Sequence, residues 1–408
     1  MPRMPRVLFV THNVPRFEGD AAGSFVLRLA VALQQQGARV EIIAPGAPGL
    51  APRDVVEGVH IERVRYGRDE HMTLAYTGTM AETVMGSWRG RWSLLHLLWQ
   101  MRAKVRARLD EAKRNGDPYD VLHVHWWFPS GLAMWKALKP SDPCMVITMH
   151  GSDVRLAAKK PVVHPIMRSV LGQAAARTAV SSWLADIAQG IAPAGEIQVA
   201  PMPVDTRHFD APSTVADGNS EADAQRNGVL FVGRLNAQKG LADLLQAMAS
   251  PALRQVPLRV VGDGPESASL MALTDQLQLT DRIQWLGTLP QSALVPLYKA
   301  ARAVVMPSRG EGLGLVAVEA QLCGTPVIGY ADGGLLDVVR PSHGGTLVQT
   351  GDVASLAIAI ARVVNDPANA ERLGQLARVD MLARFTTHAV ADRYLSIYRH
   401  VTDLAVRE

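Results

Sequence analysis

Cysteine and long hydrophobic runs are scarce in this 408-residue chain. Its only two cysteines, Cys144 and Cys323, each lie in an apolar stretch, which excludes a disulfide framework and favours buried thiols in a reducing compartment. No segment approaches the roughly 20 apolar residues needed to span a bilayer, and the apolar run at 7–10 is too short for the core of a signal peptide. We therefore expect a cytoplasmic protein, with peripheral attachment to the inner face of the membrane as a further hypothesis.

Signatures of nucleic-acid binding are also missing. The chain has no zinc-finger spacing, no aromatic RNA-binding strand and no long Lys/Arg tract, so we expect no nucleic-acid partner. The net charge of +4 and the pI near 9.1 instead suit an anionic partner, either a nucleotide diphosphate or a phospholipid surface. The sign of the charge does not choose between these two.

What the sequence does contain is an alternation of short apolar runs and helical patterns, which is typical of parallel sheets covered by helices. Strands are predicted at 6–11, 40–44, 121–124, 145–148, 179–180 and 197–199, then at 229–232, 258–261, 283–286, 303–306 and 327–329. The intervening helices are predicted at 25–36, 130–137, 162–171 and 182–191, then at 240–248, 266–278, 292–300 and 315–322.

The pattern stops between the two series, where a small, polar and acidic segment predicts a linker or exposed excursion at 205–226. We expect an α/β protein with two doubly wound, Rossmann-like domains at 1–204 and 227–384, facing each other across a cleft, since ligands bind at the carboxyl ends of parallel strands. The remaining residues, 385–408, are predicted to be helical.

The richest segment for chemistry is PSRGEGLGLVAVEAQLCGTPVIGYADGG, which begins at Pro307 directly after a predicted strand. Its glycine-containing loop enters a helix, whose free N–H groups and dipole favour phosphate. Glu311 lies in that loop and Glu319 about two turns into the helix, where carboxylates could accept hydrogen bonds from sugar hydroxyls. Each carboxylate taken alone is more simply explained as a solvated surface charge.

A second segment, GRLNAQKG, follows the predicted strand at 229–232. Arg234 and Lys239 are there positioned at a strand's carboxyl end, where cations can neutralise a diphosphate leaving group. By themselves they are a modest signal, because surface cations are common.

GRLNAQKG, VVGDGP, WLGTLP and the glycine-rich segment occur together and in this order, and they closely resemble the donor-binding half of glycosyltransferase family 4, the retaining group 1 enzymes with the GT-B fold. The resemblance implies that Arg234 and Lys239 bind the diphosphate, Glu311 the sugar hydroxyls and Glu319 the ribose, with the base near 286–289. It implies these donor-binding residues: Gly233, Arg234, Lys239, Gly262, Leu289, Glu311, Gly312, Leu313, Gly314, Leu315 and Glu319.

In the N-terminal half, MHGSD resembles the family's motif with a histidine near the donor sugar. The resemblance implies that His150 is catalytic, together with Arg234, Lys239 and Glu311, and that Asp153 supports it or contacts the acceptor. The family has a paired-glycine loop near the acceptor and the diphosphate; here Gly19 and Gly23 stand four residues apart, and the resemblance implies that both lie on the acceptor side. The strand-end Pro-Asn-Gly-Val-Asp of the family reads PMPVD at 201–205, and we assign no polar role to its changed positions.

These roles predict a nucleotide-sugar donor of the UDP or GDP type and a glycan or lipid-linked acceptor. They predict a front-face mechanism in which the leaving diphosphate accepts the acceptor's proton. Because the chain has no Asp-x-Asp motif, we expect no divalent metal and no cofactor. The family also implies that the last helix, near 386–401, returns to the first domain. The alternatives are an epimerase-type enzyme or a sugar phosphorylase on the same architecture, a dinucleotide-dependent oxidoreductase, and a nucleotide-sugar binder without turnover. The oxidoreductase fingerprint requires a third glycine at the position where this chain has Ser267.

One helical segment remains outside these motifs. Trp88, Trp92, Leu95 and Trp99 recur at helical spacing, and basic residues accompany them through 88–108. Such a helix could lie on an anionic membrane surface, or it could cover the sheet with its tryptophans in the core. We slightly favour the core.

Overall fold

The computed structural model describes residues 4–17, 20, 22–72, 74–76, 80–204, 206, 209 and 226–407. The chain forms two compact units, one of residues Met1–Pro203 with Thr387–Glu408 and one of Val204–Thr386. Most of the linker proposed at 205–226 lies outside the described residues.

The first unit is built on an eight-stranded sheet, in the order β3-β4-β2-β1-β5-β6-β7-β8. Its strands are β1 (Arg6–Val10), β2 (Arg39–Pro45), β3 (Arg53–Val56), β4 (Val59–Val64), β5 (Val121–His125), β6 (Cys144–Met149), β7 (Ala176–Ala179) and β8 (Ile197–Val199). Only the β3–β4 pair is antiparallel. The order reverses between β1 and β5, so the loops that follow these two strands flank the crevice where ligands bind in such sheets.

The helices of this unit are α1 (Ser24–Gln35), α2 (Met80–Gly86), α3 (Trp88–Arg114), α4 (Leu132–Met134), α5 (Ser152–Lys159), α6 (His164–Leu171), α7 (Ser182–Ile191) and, at the end of the chain, α15 (Thr387–Arg407). The helix predicted at 130–137 is wrong in length. The chain leaves helical geometry at Trp135, and Lys136 takes a positive φ of 51°, so the α-helix ends at Met134.

The last helix packs within the first unit, against α1 and β6. Tyr394 and Tyr398 are fully buried. The Tyr394 hydroxyl donates to the carbonyl of Ala200 at 3.0 Å, and the Tyr398 hydroxyl lies 2.7 Å from Nδ1 of His123. These buried hydrogen bonds tie the C-terminal end of the chain to the first sheet.

The outer face of α3 corrects our preference for buried tryptophans. Trp88, Trp92 and Trp99 are 66%, 65% and 62% exposed, and the face that enters the core carries Leu97 and Met101 instead. The helix therefore has two apolar stripes, of which one packs in the core and the other faces solvent. Among the described residues, no helix is long and apolar enough to cross a membrane.

The second unit contains a fully parallel six-stranded sheet, in the order β11-β10-β9-β12-β13-β14. The strands are β9 (Val229–Val232), β10 (Leu258–Val261), β11 (Ile283–Trp285), β12 (Ala303–Met306), β13 (Val327–Tyr330) and β14 (Thr346–Val348). The helices are α8 (Leu241–Met248), α9 (Ser267–Gln276), α10 (Gln291–Ala300), α11 (Leu315–Leu322), α12 (Leu335–Val338), α13 (Val353–Val364) and α14 (Pro367–Phe385).

The strand order of this second sheet reverses between β9 and β12. The core beneath it is made of side chains such as Phe231, Val260, Val305 and Ile328, all at most 1% exposed. GRLNAQKG follows β9 and the glycine-rich segment follows β12. The fold thus brings both motifs to one crevice, at the carboxyl ends of adjacent strands, where open α/β sheets bind their ligands.

Candidate active site

The loops after β9 and β12 are joined by hydrogen bonds and by one ion pair. The backbone N–H of Arg309 donates to the carbonyl of Gln238 at 2.8 Å, and the side chain of Gln238 donates to the carbonyl of Gly310 at 3.1 Å. Nζ of Lys239 lies 2.6 Å from Oε2 of Glu311. Two of the residues predicted to be catalytic therefore meet side by side, although 72 positions separate them in the chain.

Glycines permit the close backbone packing around this pair. Gly262 has a φ of 132°, and a Cβ there would lie 1.9 Å from the carbonyl oxygen of Gly233. Only glycine adopts this conformation without strain and leaves room for the neighbouring chain. The predicted donor residues Gly233 and Gly262 are thus packed against each other after neighbouring strands, β9 and β10.

The Glu311 loop enters helix α11 through Gly314, whose φ is 91°. Gly312, Leu313 and Gly314 are buried and Leu315 is half-buried. No side chain caps the N-terminus of α11, so its first N–H groups and the helix dipole are suited to an anion. The structure places a cation, a carboxylate and a helix N-terminus in one small region.

Two further glycines of the same segment support the Glu311 loop. The N–H of Gly334 donates to the carbonyl of Glu311 at 2.7 Å. A Cβ at Gly333 would lie 2.5 Å from the backbone N and O of Glu311. Gly333 and Gly334 of YADGG therefore pack against the backbone of the Glu311 loop and support it, a role that the motif alone did not reveal.

Glu319 is 7% exposed and already holds two hydrogen bonds. Its Oε1 accepts from Nε2 of Gln291 at 2.7 Å, and its Oε2 accepts from the Tyr298 hydroxyl at 2.9 Å. Burial, and then the nearby Glu319 charge, raise the pKa of Tyr298 well above its ordinary value, so the phenol stays a donor. The ribose contact of Glu319 stays a prediction.

The other two predicted donor residues are less enclosed. The side chain of Arg234 is exposed, and no hydrogen bond or ion pair holds it among the residues that the structure describes. Leu289 is half-buried in the loop between β11 and α10. Arg234 is thus available to a diphosphate, whereas Leu289 offers an apolar surface of the kind that a nucleobase would contact.

In the first unit, His150 directly follows β6 and is half-buried. Its Nε2 lies 3.0 Å from Nδ1 of His125, and its ring centroid lies 4.3 Å from that of Trp126. Burial, and then the neighbouring His125 and His12, hold the pKa of His150 well below its ordinary value. The imidazole is therefore neutral at pH 7 and acts as a hydrogen-bonding group, not as a cation.

Asp153 supports the loop that carries His150. Its Oδ1 accepts from the backbone N–H groups of His150 at 3.3 Å and Gly151 at 3.0 Å, and its Oδ2 accepts from the N–H of Trp127 at 3.1 Å. The side chain is 2% exposed, and burial raises its pKa to about 6. Of the two roles left open for Asp153, this geometry supports the loop, since the carboxylate is occupied by backbone donors.

The residues around His150 were not identified from the sequence. His125 ends β5 and Trp126 follows it, in the run LHVHWW, and two histidines at alternate positions of a buried strand were the available signal. His125 Nε2 is buried without a partner in the described structure. Among the described residues, the His125 ring packs against Phe9 and His123, and its hydrogen bond is with His150.

The altered glycine loop is only partly described. Gly23 begins α1 with a φ of 65°, and a Cβ there would lie 2.4 Å from the carbonyl oxygen of Asn13. Gly19 lies outside the described residues. Gly23 thus lets the loop after β1 pack against the start of α1, and the phosphate contact stays a prediction. The described residues contain no cluster of three or more metal-ligating side chains.

Comparisons with known proteins identify the family. Residues 215–380 match the family model "Glycosyl transferases group 1", and residues 22–208 match "Glycosyltransferase Family 4". A D-inositol 3-phosphate glycosyltransferase of Xylanimonas cellulosilytica is 31% identical, with 98% of each chain covered. A 2-deoxystreptamine glucosyltransferase of Streptomyces kanamyceticus is 31% identical over 92% of this chain and 98% of its own.

Solved structures show the same fold. A sucrose-phosphate synthase from Thermosynechococcus elongatus is similar with a TM-score of 0.76 and 26% identity, over 98% of this chain and 100% of that one. Anabaena HepE in complex with UDP-glucose is similar in fold, with a TM-score of 0.69 and 18% identity, over 97% and 100% of the two chains. With its two Rossmann-like units, the chain is a glycosyltransferase with the GT-B fold and belongs to glycosyltransferase family 4.

Proposed function

We propose that the chain transfers a sugar from a UDP- or GDP-type nucleotide sugar to a hydroxyl of an acceptor, with retention of the anomeric configuration and without a divalent metal. The observation that carries the proposal is the Lys239–Glu311 ion pair of 2.6 Å beside the uncapped N-terminus of α11. A nucleotide sugar needs positive charge for its diphosphate and hydrogen-bond acceptors for its sugar. This part of the second unit offers both.

In the proposed reaction, the bond between the anomeric carbon and the diphosphate oxygen breaks while the acceptor oxygen bonds to the same face of the sugar. The acceptor's proton passes to an oxygen of the departing diphosphate, which leaves as the nucleoside diphosphate. Lys239, Arg234 and the first N–H groups of α11 stabilise the growing negative charge. These positive groups supply what a metal ion supplies in other sugar-nucleotide enzymes, and the chain has no Asp-x-Asp motif.

A front-face route is supported by the surroundings of Glu311. Its carboxylate is paired with Lys239 and is 12% exposed, and a carboxylate neutralised in this way is a weak nucleophile. We therefore assign Glu311 to the sugar hydroxyls and not to a covalent glycosyl-enzyme intermediate of the kind that retaining glycosidases form. His150 is assigned to the transferred sugar as a neutral hydrogen-bonding partner, since its pKa is held well below the ordinary value by burial.

The acceptor is proposed to be a glycan or a lipid-linked glycan precursor, used at the cytoplasmic face of a membrane. The names of two relatives point to cyclic polyols as acceptors, an inositol 3-phosphate and 2-deoxystreptamine, and a sugar hydroxyl is chemically similar to theirs. The acceptor is thus assigned by class, as a compound with a free hydroxyl, because a hydroxyl is the one group that the reaction requires.

Binding and turnover of UDP-, GDP-, ADP- and dTDP-sugars test this proposal. Thermal shift and saturation-transfer NMR measure binding, and release of the nucleoside diphosphate with EDTA present measures turnover. One donor class should bind, and Arg234→Ala and Glu319→Ala should weaken its binding, while the exposed control Arg254→Ala keeps it. Binding without any turnover across a panel of sugar and polyol acceptors would favour the non-catalytic alternative, and loss of turnover with EDTA, restored by a divalent ion, would contradict metal independence.

A further inference from the structure

The outer face of α3 carries a stripe of large apolar side chains, which we name the tryptophan face. It consists of Trp88, Trp92, Leu95 and Trp99, which are 66%, 65%, 57% and 62% exposed. The four residues recur at intervals of four, three and four along the helix, so they lie on one side of it over roughly 16 Å. Isolated exposed apolar residues are ordinary, but a contiguous patch of this kind marks an interaction surface.

The sheet does not need this stripe. The inner side of α3 is buried through Leu97, Met101, Val105 and Leu109, each at most 1% exposed. The tryptophans therefore contribute nothing to the core of the unit, although indoles are among the side chains that lose most by exposure to water. Their position is explained only by something that covers them.

A groove runs beside the tryptophan face. It has a volume of about 730 Å³, and it is lined by Trp88, Trp92 and Trp99 of α3 and by Tyr66, Gly67 and His71 of the preceding segment. The groove is open to solvent. Its lining joins apolar rings to groups that can donate hydrogen bonds, as in the interfacial region of a bilayer.

Charge complements the apolar stripe. Residues 88–109 contain no acidic residue. Further along α3, Lys104 is bound to Glu62 at 3.1 Å, and Arg108 to Glu41. Two cations nearer the tryptophans have neutral contacts instead. The Arg89 guanidinium lies 5.6 Å from the Trp88 ring, and Arg102 donates to the backbone carbonyls of Trp135 and Lys136.

One of the two acidic residues of the neighbouring loop is paired with a cation. Asp69 is bound to Arg65 at 2.6 Å, whereas Glu70 lies 3.4 Å from His71, which is charged only when it is protonated. Because residues 88–109 contain several cations and no acidic residue, this end of α3 keeps a net positive charge.

We propose that the tryptophan face binds an anionic lipid bilayer, with the indoles and Leu95 at the boundary of headgroups and acyl chains and Arg89 against lipid phosphates. Tryptophan prefers this boundary because its ring is apolar and its N–H is polar. Basic residues beside an apolar helix face add electrostatic attraction to anionic lipids. A protein partner or soluble glycan accounts for the tryptophans but not for the run of cations without acids.

None of these residues belongs to the proposed donor or acceptor residues, so membrane binding and sugar transfer can fail separately. The test is flotation of the full-length protein with vesicles of phosphatidylcholine alone and with 30% phosphatidylglycerol. We expect flotation only with the anionic vesicles, and partition should fall roughly a hundredfold at about 1 M salt, where charges are screened beyond about 3 Å. Trp92→Ala and Trp99→Ala should each weaken partition about tenfold.

Ile358→Ala is the matched control, since Ile358 is 54% exposed in the second unit, and it should float as the unaltered protein does. Quenching of tryptophan emission by brominated lipids supplies a readout that needs no variant. The proposal is overturned if the protein does not float with anionic vesicles, or if the Trp92→Ala/Trp99→Ala double variant floats equally well. It is also overturned if light scattering shows a dimer that the double variant abolishes, because the face would then bind a second copy.

Discussion

Replacing Lys239 by Met, Glu311 by Gln and both together tests whether the loops after β9 and β12 act as one unit. The two side chains are 22% and 12% exposed, and their charged atoms lie 2.6 Å apart. At an effective dielectric constant of about 20, unit charges about 4 Å apart attract by roughly 4 kcal/mol, and desolvation offsets part of this. A hydrogen bond between charged groups is worth about 1.5–3 kcal/mol net.

Each single variant should lower kcat/KM for transfer by about 100- to 1000-fold, which is typical for a group that stabilises developing charge. If the two single losses were independent, the loss in the double variant would be their product. We expect a loss about 10- to 150-fold smaller than that product, which is the coupling energy of about 1.5–3 kcal/mol expressed as a ratio. The assay is release of nucleoside diphosphate under subsaturating donor. Donor affinity measured by calorimetry separates binding from turnover.

The matched control is the pair of Arg309 and Asp243, which is bound at 2.7 Å in the same region. Neither residue is assigned to the donor, so Arg309→Met and Asp243→Asn should change kcat/KM by no more than about threefold, as is usual for ion pairs that are partly exposed. The reasoning is refuted if the Lys239 and Glu311 factors multiply, or if the control pair costs as much as they do.

His125→Phe should lower kcat about tenfold with little change in donor affinity, because it removes the hydrogen bond that orients His150 and a small displacement of a reacting group is costly. Asp153→Asn should lower the free energy of unfolding by about 1–3 kcal/mol, since its amide N–H₂ would face a backbone donor. Gly262→Ala should lower it by at least about 1–3 kcal/mol through backbone strain and should weaken donor binding. Burial lowers the pKa of His12 to about 4, so the folded protein binds fewer protons than the unfolded chain below pH 6.5. The contribution of His12 to stability is then full above that pH and is lost as pH drops toward 4, by up to about 1.4 kcal/mol per pH unit, whereas Asp153, whose pKa is raised to about 6, acts in the opposite direction.

Urea unfolding at pH 7 and at lower pH measures the stability predictions. Gly287→Ala is the control for Gly262, because Gly287 also has a positive φ of 63° but a Cβ there meets nothing within 4 Å. Equal losses at the two glycines would mean that the contact with Gly233 is unimportant. For the His125 variant, an unaltered kcat would contradict the orienting role. A His12→Asn variant that loses as much stability on acidification as the unaltered protein would contradict the burial of neutral His12.

The buried strands were the most predictable part of the fold. Val229–Val232, Leu258–Val261 and Ala303–Met306 occur where the apolar runs placed them, because strands covered on both faces are apolar without interruption. The hairpin of Arg53–Val56 and Val59–Val64 was missed. Its exposed and buried residues alternate, so it contains fewer apolar residues in a row. A search for continuous apolar runs therefore assigns such a segment to a loop.

Side-chain partners were less predictable than the motifs. Arg234, Lys239 and Glu311 were predicted from the resemblance to family 4, which rests on motifs that are continuous along the chain. His125 meets His150 only because β5 and β6 pair in one register, and Tyr298 meets Glu319 only because α10 packs on α11. The tryptophans on α3 show a further limit, since helical periodicity identifies an apolar stripe but does not say which of two stripes enters the core.

The central claim, retaining transfer from a nucleotide sugar without a metal, is tested most directly by following the reaction by ¹H NMR in EDTA. The donor is the one identified by binding, and the first-formed product is observed before its anomers equilibrate. The account predicts release of nucleoside diphosphate and a first product with the anomeric configuration of the donor. A first product of opposite configuration, or a reaction that proceeds only when a divalent ion is restored, would contradict it.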